Sequence, residues 1–392
     1  MQTKIITTSA DLAEFCASFG DEKFITVDTE FIRERTYYPQ LCLMQVATSK
    51  IAVAIDPLAG DVDFKPLWDA FANPNLLKVF HAAAQDLEIF VRETGHVPTP
   101  MYDTQIAAMV CGFGESVSYE NLVGEIVGAK LDKASRFTDW ARRPLSDRQI
   151  AYALDDVIHL RVVYEKLSAQ IHEEGRDSWI EEEMQEMGEI GKYQVDPQNQ
   201  WKRLKVKSRD PNYLQLLRAT AAWREEQAMR RDLPRQRVLK DDWVVQVPAQ
   251  DPKTVEDLME VRGISGQLGK DAMASLVEAL QVARTQPKET FPQPEERLRQ
   301  MLASQEGCLD QVKLLLRQRC EEMHLVPRLV ADKTELEMLV RGVTKFEDSH
   351  ISHGWRYDVF GQAAKDLLDG KLSARVVPVK GGYGLIWGSQ AN

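Results

Sequence analysis

The strand-forming segments of this 392-residue chain are concentrated in its first fifth. Four short runs of apolar and β-branched residues, at 23–27, 41–47, 51–55 and 76–80, are bounded by polar breaks, which is typical of strands. Helical patterns occur at residues 64–71, 84–94, 104–110, 119–127 and 146–167. Strands followed by strand–helix alternation predict an α/β unit over residues 1–170, built on a sheet of mixed direction flanked by helices.

Beyond residue 170 the strand signals fade until the C-terminal tail, and helical patterns dominate. Residues 171–209 are predicted to be an acidic and then basic linker: 171–190 carry eight Asp and Glu against one Arg, whereas 201–240 carry twelve Lys and Arg against four acids. Asp210 before Pro211 predicts a helix start. Two all-α modules are expected, at residues 210–289 and 295–392, the second ending in the tail, with a proline-containing hinge near 285–294.

The composition excludes several classes of protein. No uncharged apolar run approaches the ~20 residues of a membrane helix, and no secretory signal is visible. Five scattered cysteines without CxxC spacing indicate neither a disulfide framework nor a zinc site, and they favour the cytoplasm. The net charge of −11 would repel a polyanion at long range, whereas the basic segment 201–240 could attract one locally; solvated helix faces are the alternative interpretation of that segment.

Four acidic residues and one tyrosine form the candidate site. Asp28 and Glu30 close the first predicted strand, where alternation places both carboxylates on one face. Asp86 falls in the first turn of a helix, and Tyr152 and Asp156 share one face of the long helix. If the fold gathers these carboxylates, each close pair repels by ~4 kcal/mol at an effective dielectric of ~20, so bound cations are needed. Oxygen ligands favour Mg²⁺ or Mn²⁺, and two such ions are typical of phosphodiester cleavage.

Taken singly, each residue of the candidate site has a structural alternative. Asp86 could complement a helix N-terminus, and Asp28 and Glu30 could be exposed acids at the end of a strand. Tyr152 and Asp156 could be an ordinary solvent-facing pair on a helix. Taken together, the five residues favour a site because their spacing matches that of a known family.

This spacing resembles that of the 3′–5′ exonucleases of the DEDD superfamily over residues 24–167, and the whole chain resembles the bacterial ribonuclease D family. The motifs that carry the resemblance are Asp28-Thr29-Glu30, His81-Ala82-Ala83-Ala84-Gln85-Asp86-Leu87, Tyr152-Ala153-Leu154-Asp155-Asp156, Arg35-Thr36-Tyr37-Tyr38-Pro39-Gln40-Leu41 and Asp139-Trp140-Ala141-Arg142-Arg143-Pro144-Leu145. Tyr152 is the mark of the tyrosine branch. Many relatives carry Asn early in the second motif, where this chain has Ala82 or Ala83; that departure leaves the metal ligands intact.

The resemblance implies a ribonuclease H-like sheet and two divalent ions, Mg²⁺ or Mn²⁺, held by Asp28, Glu30, Asp86 and Asp156. It also implies hydrolysis of RNA from the 3′ end to nucleoside 5′-monophosphates, with tRNA precursors as the suggested substrate. Tyr152 would orient the attacking water, since a phenol with a pKa near ~10 keeps its proton at neutral pH. A DNA exonuclease that uses the same carboxylates and a catalytically silent nucleic-acid-binding adaptor are the alternatives.

The helical part resembles a second family. Residues 210–289 are similar to the HRDC domain, and residues 295–370 are similar to a divergent second copy. The resemblance is carried by Ala222-Trp223-Arg224-Glu225, Ala228, Leu233-Pro234 and Val238-Leu239 in the first copy, and by Gly354-Trp355-Arg356 and Phe360-Gly361 in the second. It implies nucleic-acid binding, in agreement with the basic segment. Trp223 itself is interpreted as a core residue.

Further residues near the motifs are candidates for contacts with the nucleic acid: Phe31, Tyr37, Tyr38, His81, Arg142 and Arg143. The aromatic rings could stack on unpaired bases, with core packing as the alternative. The two arginines could pair with phosphates, although solvated loop arginines are common. The sequence indicates no obligate protein partner and no membrane contact, and the family resemblance makes a monomer the expectation.

Overall fold

The computed structural model describes residues 1–20, 22–60, 62–132, 138–294 and 300–389. A six-stranded sheet has the order β1-β4-β3-β2-β5-β6. Its strands are β1 (Gln2–Ile6), β2 (Phe24–Ile32), β3 (Gln40–Ala47), β4 (Ile51–Ile55), β5 (Leu77–Phe80) and β6 (Met101–Asp103). Strands β2, β3 and β4 are antiparallel neighbours, β1 is parallel to β4, and β5 is parallel to both β2 and β6. The predicted mixed sheet is therefore confirmed.

Helices cover both faces of this sheet. They are α1 (Ser9–Ala17), α2 (Lys65–Phe71), α3 (Ala84–Thr94), α4 (Thr104–Val110), α5 (Tyr119–Ile126) and α6 (Asp147–Glu173). One core lies between the sheet and α1, α2 and α3, and includes Val27 and Phe90. On the other face, Ala153 and Val157 of α6 pack against Leu43 of β3. Strand β2 therefore lies between two buried layers.

Three elements of this unit were not predicted from the sequence: β1, α1 and β6. Strand β1 is exposed apart from Ile6, so it lacks an apolar pattern and forms because its backbone pairs with β4. Strand β6 has three residues, too few for a periodicity to be visible. The predicted bounds of α3 and α4 agree with the structure.

The segment expected as a linker, residues 171–209, is largely ordered as helix. It contains the end of α6, helix α7 (Asp177–Met187) and two 3-10 turns, Ile190–Tyr193 and Pro197–Arg203. Ile180 of α7 is buried in a cluster shared with α4 and α5. This apolar contact attaches the acidic helix to the sheet domain, which the charge pattern of the segment did not indicate.

The first helical module consists of α8 (Pro211–Arg231), α9 (Arg235–Val238), α10 (Asp241–Gln250), α11 (Val255–Met259) and α12 (Lys270–Thr285). The predicted start at Pro211 is confirmed, because the Asp210 side chain accepts a hydrogen bond from the backbone N–H of Asn212. Trp223 is buried in the apolar cluster of this module, as interpreted from the sequence.

The C-terminal module contains α13 (Ala303–Glu322), α14 (Pro327–Val330), α15 (Lys333–Val340), α16 (Gly354–Arg356) and α17 (Gln362–Leu368). Its predicted start at residue 295 lies outside the described residues. The tail forms an antiparallel hairpin of β7 (Leu372–Val379) and β8 (Gly382–Ser389), so this module is not purely helical. In the part of the chain that the structure describes, no helix is long and apolar enough to span a membrane.

Candidate active site

Strand β2 and helix α6 bring three acidic side chains together. Asp28 and Glu30 lie two residues apart on β2, and a bulge follows Glu30 where the strand pairs with β3. The Thr26 hydroxyl donates to the carbonyl oxygen of Val157 over 2.7 Å and fixes α6 against this strand. One carboxylate oxygen from each of Asp28, Glu30 and Asp156 lies within 4.8 Å of the other two. Like charges at this separation repel by about 3 kcal/mol at an effective dielectric of 20.

Asp86 reaches the same site from α3 but is not part of this three-residue group. Its carboxylate accepts a hydrogen bond from the hydroxyl of Thr29, the residue between Asp28 and Glu30. It lines the same cavity as the three other carboxylates. The structure therefore places all four predicted acids at one site, with Asp86 held at one side by β2.

The loop before α3 has an unusual backbone that Asp103 stabilises. Ala82 has φ of 58°, in the left-handed region that Asn and Gly enter more readily than Ala. The Asp103 carboxylate accepts from the backbone N–H groups of Ala82 and Ala83 over 3.0 and 2.8 Å. The positive φ of Ala82 gives a physical reason why many relatives have Asn in this part of the motif.

Burial and mutual repulsion perturb the acids. Burial raises the pKa of Asp28 to about 6. Burial, followed by the charge of Asp28, holds the pKa of Asp86 well above its ordinary value, against the opposing hydrogen bond from Thr29. Because the pKa values of both Asp28 and Asp86 are raised, the folded protein disfavours accumulated negative charge at this site. A bound cation would relieve that cost.

Tyr152 lies beside the acids on α6. Burial first, and then the negative charge of the nearby Asp156, raises the pKa of Tyr152 further above its ordinary value. The phenol therefore keeps its proton throughout the physiological range. A protonated hydroxyl at this position is able to donate a hydrogen bond to an oxygen in the cavity.

The site opens into a cavity of about 540 Å³. Besides the five predicted residues, its lining includes Thr29, Phe31, His81, Gln85, Gln105, Tyr119, Glu120 and Asp132. Phe31 and His81 are thus placed where the sequence analysis expected contacts with nucleic acid. The remaining candidates for such contacts lie elsewhere.

His81 is part of the cavity wall, without a positive charge. The Thr104 hydroxyl donates a hydrogen bond to the carbonyl oxygen of Phe80. The oxygen of the same hydroxyl lies 3.0 Å from His81 Nδ1 and is therefore placed to accept a hydrogen bond from it. The ring centroid of Tyr119 is 5.1 Å away. Burial lowers the pKa of His81, so the neutral imidazole is the form at physiological pH. Its contribution to binding would be a polar or stacking contact and not a charge.

Tyr37 and Tyr38 contact the first helical module. Tyr37 is 3% exposed, and its hydroxyl donates to Glu225 of α8. The backbone N–H groups of both tyrosines donate to Asp232 over 3.1 Å. The Arg92 guanidinium lies 3.6 Å above the Tyr38 ring. The structure supports the packing interpretation of this pair, because Tyr37 exposes no face on which a base could stack.

Arg143 is not available to a phosphate. Its side chain donates twice to Asp56 over 2.7 and 2.6 Å, and to the carbonyl oxygens of Cys42, Trp140 and Arg142 over 2.6, 2.6 and 3.0 Å. These contacts engage all five guanidinium N–H groups. Arg143 therefore joins its loop to β3 and to the end of β4, and the expected phosphate contact is corrected. Arg142 is exposed on the same loop.

Three residues that support the site were missed in the sequence analysis. Thr29 orients Asp86, Asp103 holds the loop before α3, and the Tyr119 hydroxyl donates to the backbone carbonyl of Asp156. Asp103 ends the short strand β6, whose recognition would have pointed to a carboxylate at the edge of the sheet. Thr29 lies inside a recognised motif, but its role depends on the position of α3.

The donor set fits divalent ions of the magnesium type. The gathered side chains of Asp28, Glu30 and Asp156, with Asp86 beside them, offer carboxylate oxygens. Mg²⁺ and Mn²⁺ prefer such oxygen ligands, whereas zinc favours His and Cys. The raised pKa of Asp28 indicates an environment that a cation would stabilise.

Comparisons with known proteins agree with this site. A family model described as 3′-5′ exonuclease matches residues 3–172, and the HRDC domain model matches residues 214–280. Ribonuclease D of Jannaschia sp. is 44% identical over 373 residues, covering 94% of this chain and 96% of that protein. Ribonuclease D of Zymomonas mobilis is 41% identical over 376 residues, covering 95% of both chains. The crystal structure of Escherichia coli RNase D, described as an exoribonuclease involved in structured RNA processing, matches with a TM-score of 0.78 at 29% identity, over 94% of this chain and 99% of that one.

Proposed function

The chain belongs to the ribonuclease D family of 3′–5′ exoribonucleases, and we propose that the cavity around Asp28 is where it hydrolyses the terminal phosphodiester of RNA. The observation that carries this proposal is the convergence of Asp28, Glu30 and Asp156 to within 4.8 Å, with the protonated Tyr152 lining the same cavity. A structural role for these acids would not require three carboxylates at such a distance, because their repulsion costs stability.

Asp28, Glu30, Asp86 and Asp156 would hold two divalent ions, Mg²⁺ or Mn²⁺, which when bound supply an activated water and neutralise the charge that develops on the leaving oxygen. Thr29 keeps the Asp86 carboxylate oriented towards β2. Tyr152 keeps its proton and would hold the attacking water by a hydrogen bond.

Phe31 and His81 are proposed to contact the terminal nucleotide. Both line the cavity beside the acids. The ring of Phe31 would stack on the terminal base, and stacking of this kind tolerates any base. Because His81 is neutral, it would pair with a sugar or base group in preference to a phosphate. Arg142, exposed on its loop, remains the candidate for a phosphate further along the strand.

Precursors of tRNA are the proposed substrate, because maturation of tRNA is the general role of the family. The HRDC domain at residues 214–280 is proposed to extend the RNA-binding surface through its basic segment, and residues 295–370 are proposed to be a divergent second copy. In both modules a four-residue helix follows a long helix, α9 after α8 and α14 after α13. We further propose that the protein acts in the cytoplasm as a monomer; all five cysteines are free thiols, as a reducing compartment requires.

Digestion of 3′-labelled RNA beside DNA of the same sequence, in the presence of Mg²⁺ or Mn²⁺, tests this function. We expect release of labelled mononucleotide from the RNA. Asp156→Asn should reduce the rate by at least a thousandfold, since it alters one of the proposed cation ligands. The matched control is Asp155→Asn, which changes the neighbouring exposed acid on the same helix and should leave the rate within about twofold.

The alternatives predict different results from the same assay. Preferential hydrolysis of the DNA would indicate a DNA exonuclease, and binding of RNA without hydrolysis of either polymer would indicate a silent adaptor. An Asp156→Asn protein that retains the activity of Asp155→Asn would remove Asp156 from the site.

A further inference from the structure

The C-terminal hairpin of β7 and β8 is a surface to which the catalytic site assigns no role. Residues 370–389 contain two lysines and one arginine and no acidic residue, in a chain whose net charge is −11. Lys371, at the base, is paired with Asp366 and Asp369, so the positive charge of the strands and their turn comes from Arg375 and Lys380. The distal end of the hairpin is exposed: 81% of Tyr383 and 69% of Val376 are accessible to solvent. An exposed aromatic ring within a purely basic segment is unusual for an acidic protein, and it points to a polyanionic partner.

The base of the hairpin is fixed to the C-terminal module. Trp387 Nε1 donates to the side-chain oxygen of Gln318 on α13 over 3.0 Å. Leu372 and Trp387 both pack against the apolar cluster that contains α13 and α17. The distal half therefore projects from an anchored base. A projecting ribbon with a fixed base can present its side chains to a large ligand without a loss of tertiary structure.

The two faces of β8 carry different side chains. Alternation along the strand places Gly382, Gly384, Ile386 and Gly388 on one face, and Tyr383, Leu385 and Trp387 on the other. Side chains of β7 cover the first face, since Cβ atoms added at Gly384 and Gly388 would meet Val379 Cγ1 and Arg375 Nη2, both at 2.9 Å. Tyr383 lies on the opposite face at the distal end, so its ring is the one that a base could reach.

We propose that the distal end of this hairpin binds single-stranded RNA, with Tyr383 stacking on an unpaired base and with Lys380 contacting a phosphate. This inference rests on the proposed function, because the ligand is the polymer that the cavity would hydrolyse. Charge favours RNA over a second copy of the chain. Two copies that met hairpin to hairpin would bring their basic residues together, and like charges repel.

Binding of a 5′-fluorescent single-stranded RNA to the full-length protein in EDTA, measured by anisotropy, tests the proposal. Tyr383→Ala should weaken binding about fivefold or more, because stacking of one base on an aromatic ring has that effect. Tyr383→Phe keeps the ring face and should bind within about twofold of the wild type. Since the side chain is 81% exposed, neither change should affect folding, which circular dichroism would verify.

Charge removal provides an independent arm of the same experiment. Lys380→Gln, in the turn between β7 and β8, should weaken binding and reduce the slope of log K against log salt by about 0.7, the value for one phosphate contact on a single strand. Lys50→Gln is the matched control, because Lys50 is an exposed lysine in the turn between β3 and β4. It removes the same charge from a different hairpin and should leave affinity and slope unchanged.

The possible failures are distinguishable. A wild-type protein that hydrolyses no RNA, not even a dinucleotide, would contradict the proposed function. A wild-type protein that hydrolyses and binds RNA, while Tyr383→Ala binds it equally well, would overturn the hairpin proposal alone. Sedimentation tests whether a second copy of the chain binds this surface instead. If the wild type is a dimer and Tyr383→Ala is a monomer with unchanged RNA affinity, the surface belongs to a second copy and the RNA-binding proposal is refuted.

Discussion

The two helical modules are attached to the exonuclease domain in physically different ways. The C-terminal module shares an apolar cluster with it: Leu316, Ile351 and Phe360 belong to the same buried group as Val110 and Leu160. The HRDC module has a separate cluster, to which the exonuclease domain contributes the buried ring of Tyr37. A polar network surrounds this contact, in which Glu225 binds both the Tyr37 hydroxyl and Arg235.

This difference predicts different cooperativity. A continuous apolar cluster couples two regions because neither buries its own surface without the other. The contact with the HRDC module combines directional polar bonds with the burial of few exonuclease side chains, Tyr37 and part of Tyr38, so the module should open or unfold without disturbing the sheet. The C-terminal helices therefore behave as part of the exonuclease domain, whereas the HRDC module behaves as an attached domain.

The largest expected effect compares two tryptophans that are each 3% exposed, Trp355 in the shared cluster and Trp223 in the HRDC cluster. Trp355 stacks on Trp179 with ring centroids 4.8 Å apart. Each change to Ala should cost about 3–5 kcal/mol of unfolding free energy, because it leaves a large cavity. Hydrogen exchange should show lost protection in α4 for Trp355→Ala and in α8 for Trp223→Ala. Equal loss in α4 for both variants would show that the modules are not independent.

Removal of Arg235 should have the next largest effect. Glu225 is fully buried, and both of its carboxylate oxygens accept from Arg235 over 2.6 Å. Arg235→Met leaves a buried carboxylate without its cation and should cost about 3 kcal/mol in denaturant unfolding of the HRDC module. Arg237→Met, an exposed arginine on the same short helix, is the control and should cost less than about 0.5 kcal/mol. Similar losses of unfolding free energy in the two variants would show that the pair of Glu225 and Arg235 does not stabilise the module.

A smaller effect is expected from the hydroxyl of Tyr37. Tyr37→Phe keeps the buried ring and deletes the donor to Glu225, so it should cost about 1 kcal/mol. Tyr38→Phe is the neighbouring control: its ring contact with Arg92 survives, and stability should change by less than about 0.5 kcal/mol. Chemical denaturation of both variants in parallel measures the difference in their unfolding free energies. Equal values would show that water replaces the Tyr37 hydroxyl without loss of stability.

The smallest effect concerns pH at the apolar interface. Burial raises the pKa of Glu183, although Arg356 at 2.7 Å and Trp355 oppose the shift. Because the folded protein binds this proton more tightly than the unfolded chain, the contribution of Glu183 to stability improves as pH falls from neutral towards about 4.5, its ordinary pKa. Unfolding free energies measured across this window should show this dependence in the wild type and a flatter one in Glu183→Gln. An identical dependence in both would assign it to other groups.

The exonuclease fold was largely predictable because its signals are local. Period-two alternation placed Asp28 and Glu30 on one face, and the structure gathers them with Asp156. The Asp210–Pro211 pair marked the start of α8. By contrast, strand β1 is polar and exists only through its pairing with β4, so no local pattern revealed it.

The functional roles of single residues were less predictable than the fold. Arg143 and Tyr37 lie within motifs that resemble the family, and either could have faced RNA. The structure instead uses Arg143 to bind Asp56, which is 87 positions away, and Tyr37 to bind Glu225, which is 188 positions away. A sequence window contains neither partner, so the difference between a binding residue and a packing residue was not visible in it.

The sequence by itself predicted most strands and helices of the exonuclease domain, the acidic set and the family, because spacing and chemical type are properties of neighbouring residues. Only the tertiary structure decided that the C-terminal helices complete the core of the exonuclease domain while the HRDC module keeps its own. Which apolar surfaces meet is a property of segments that are distant along the chain, since their burial is shared between both partners.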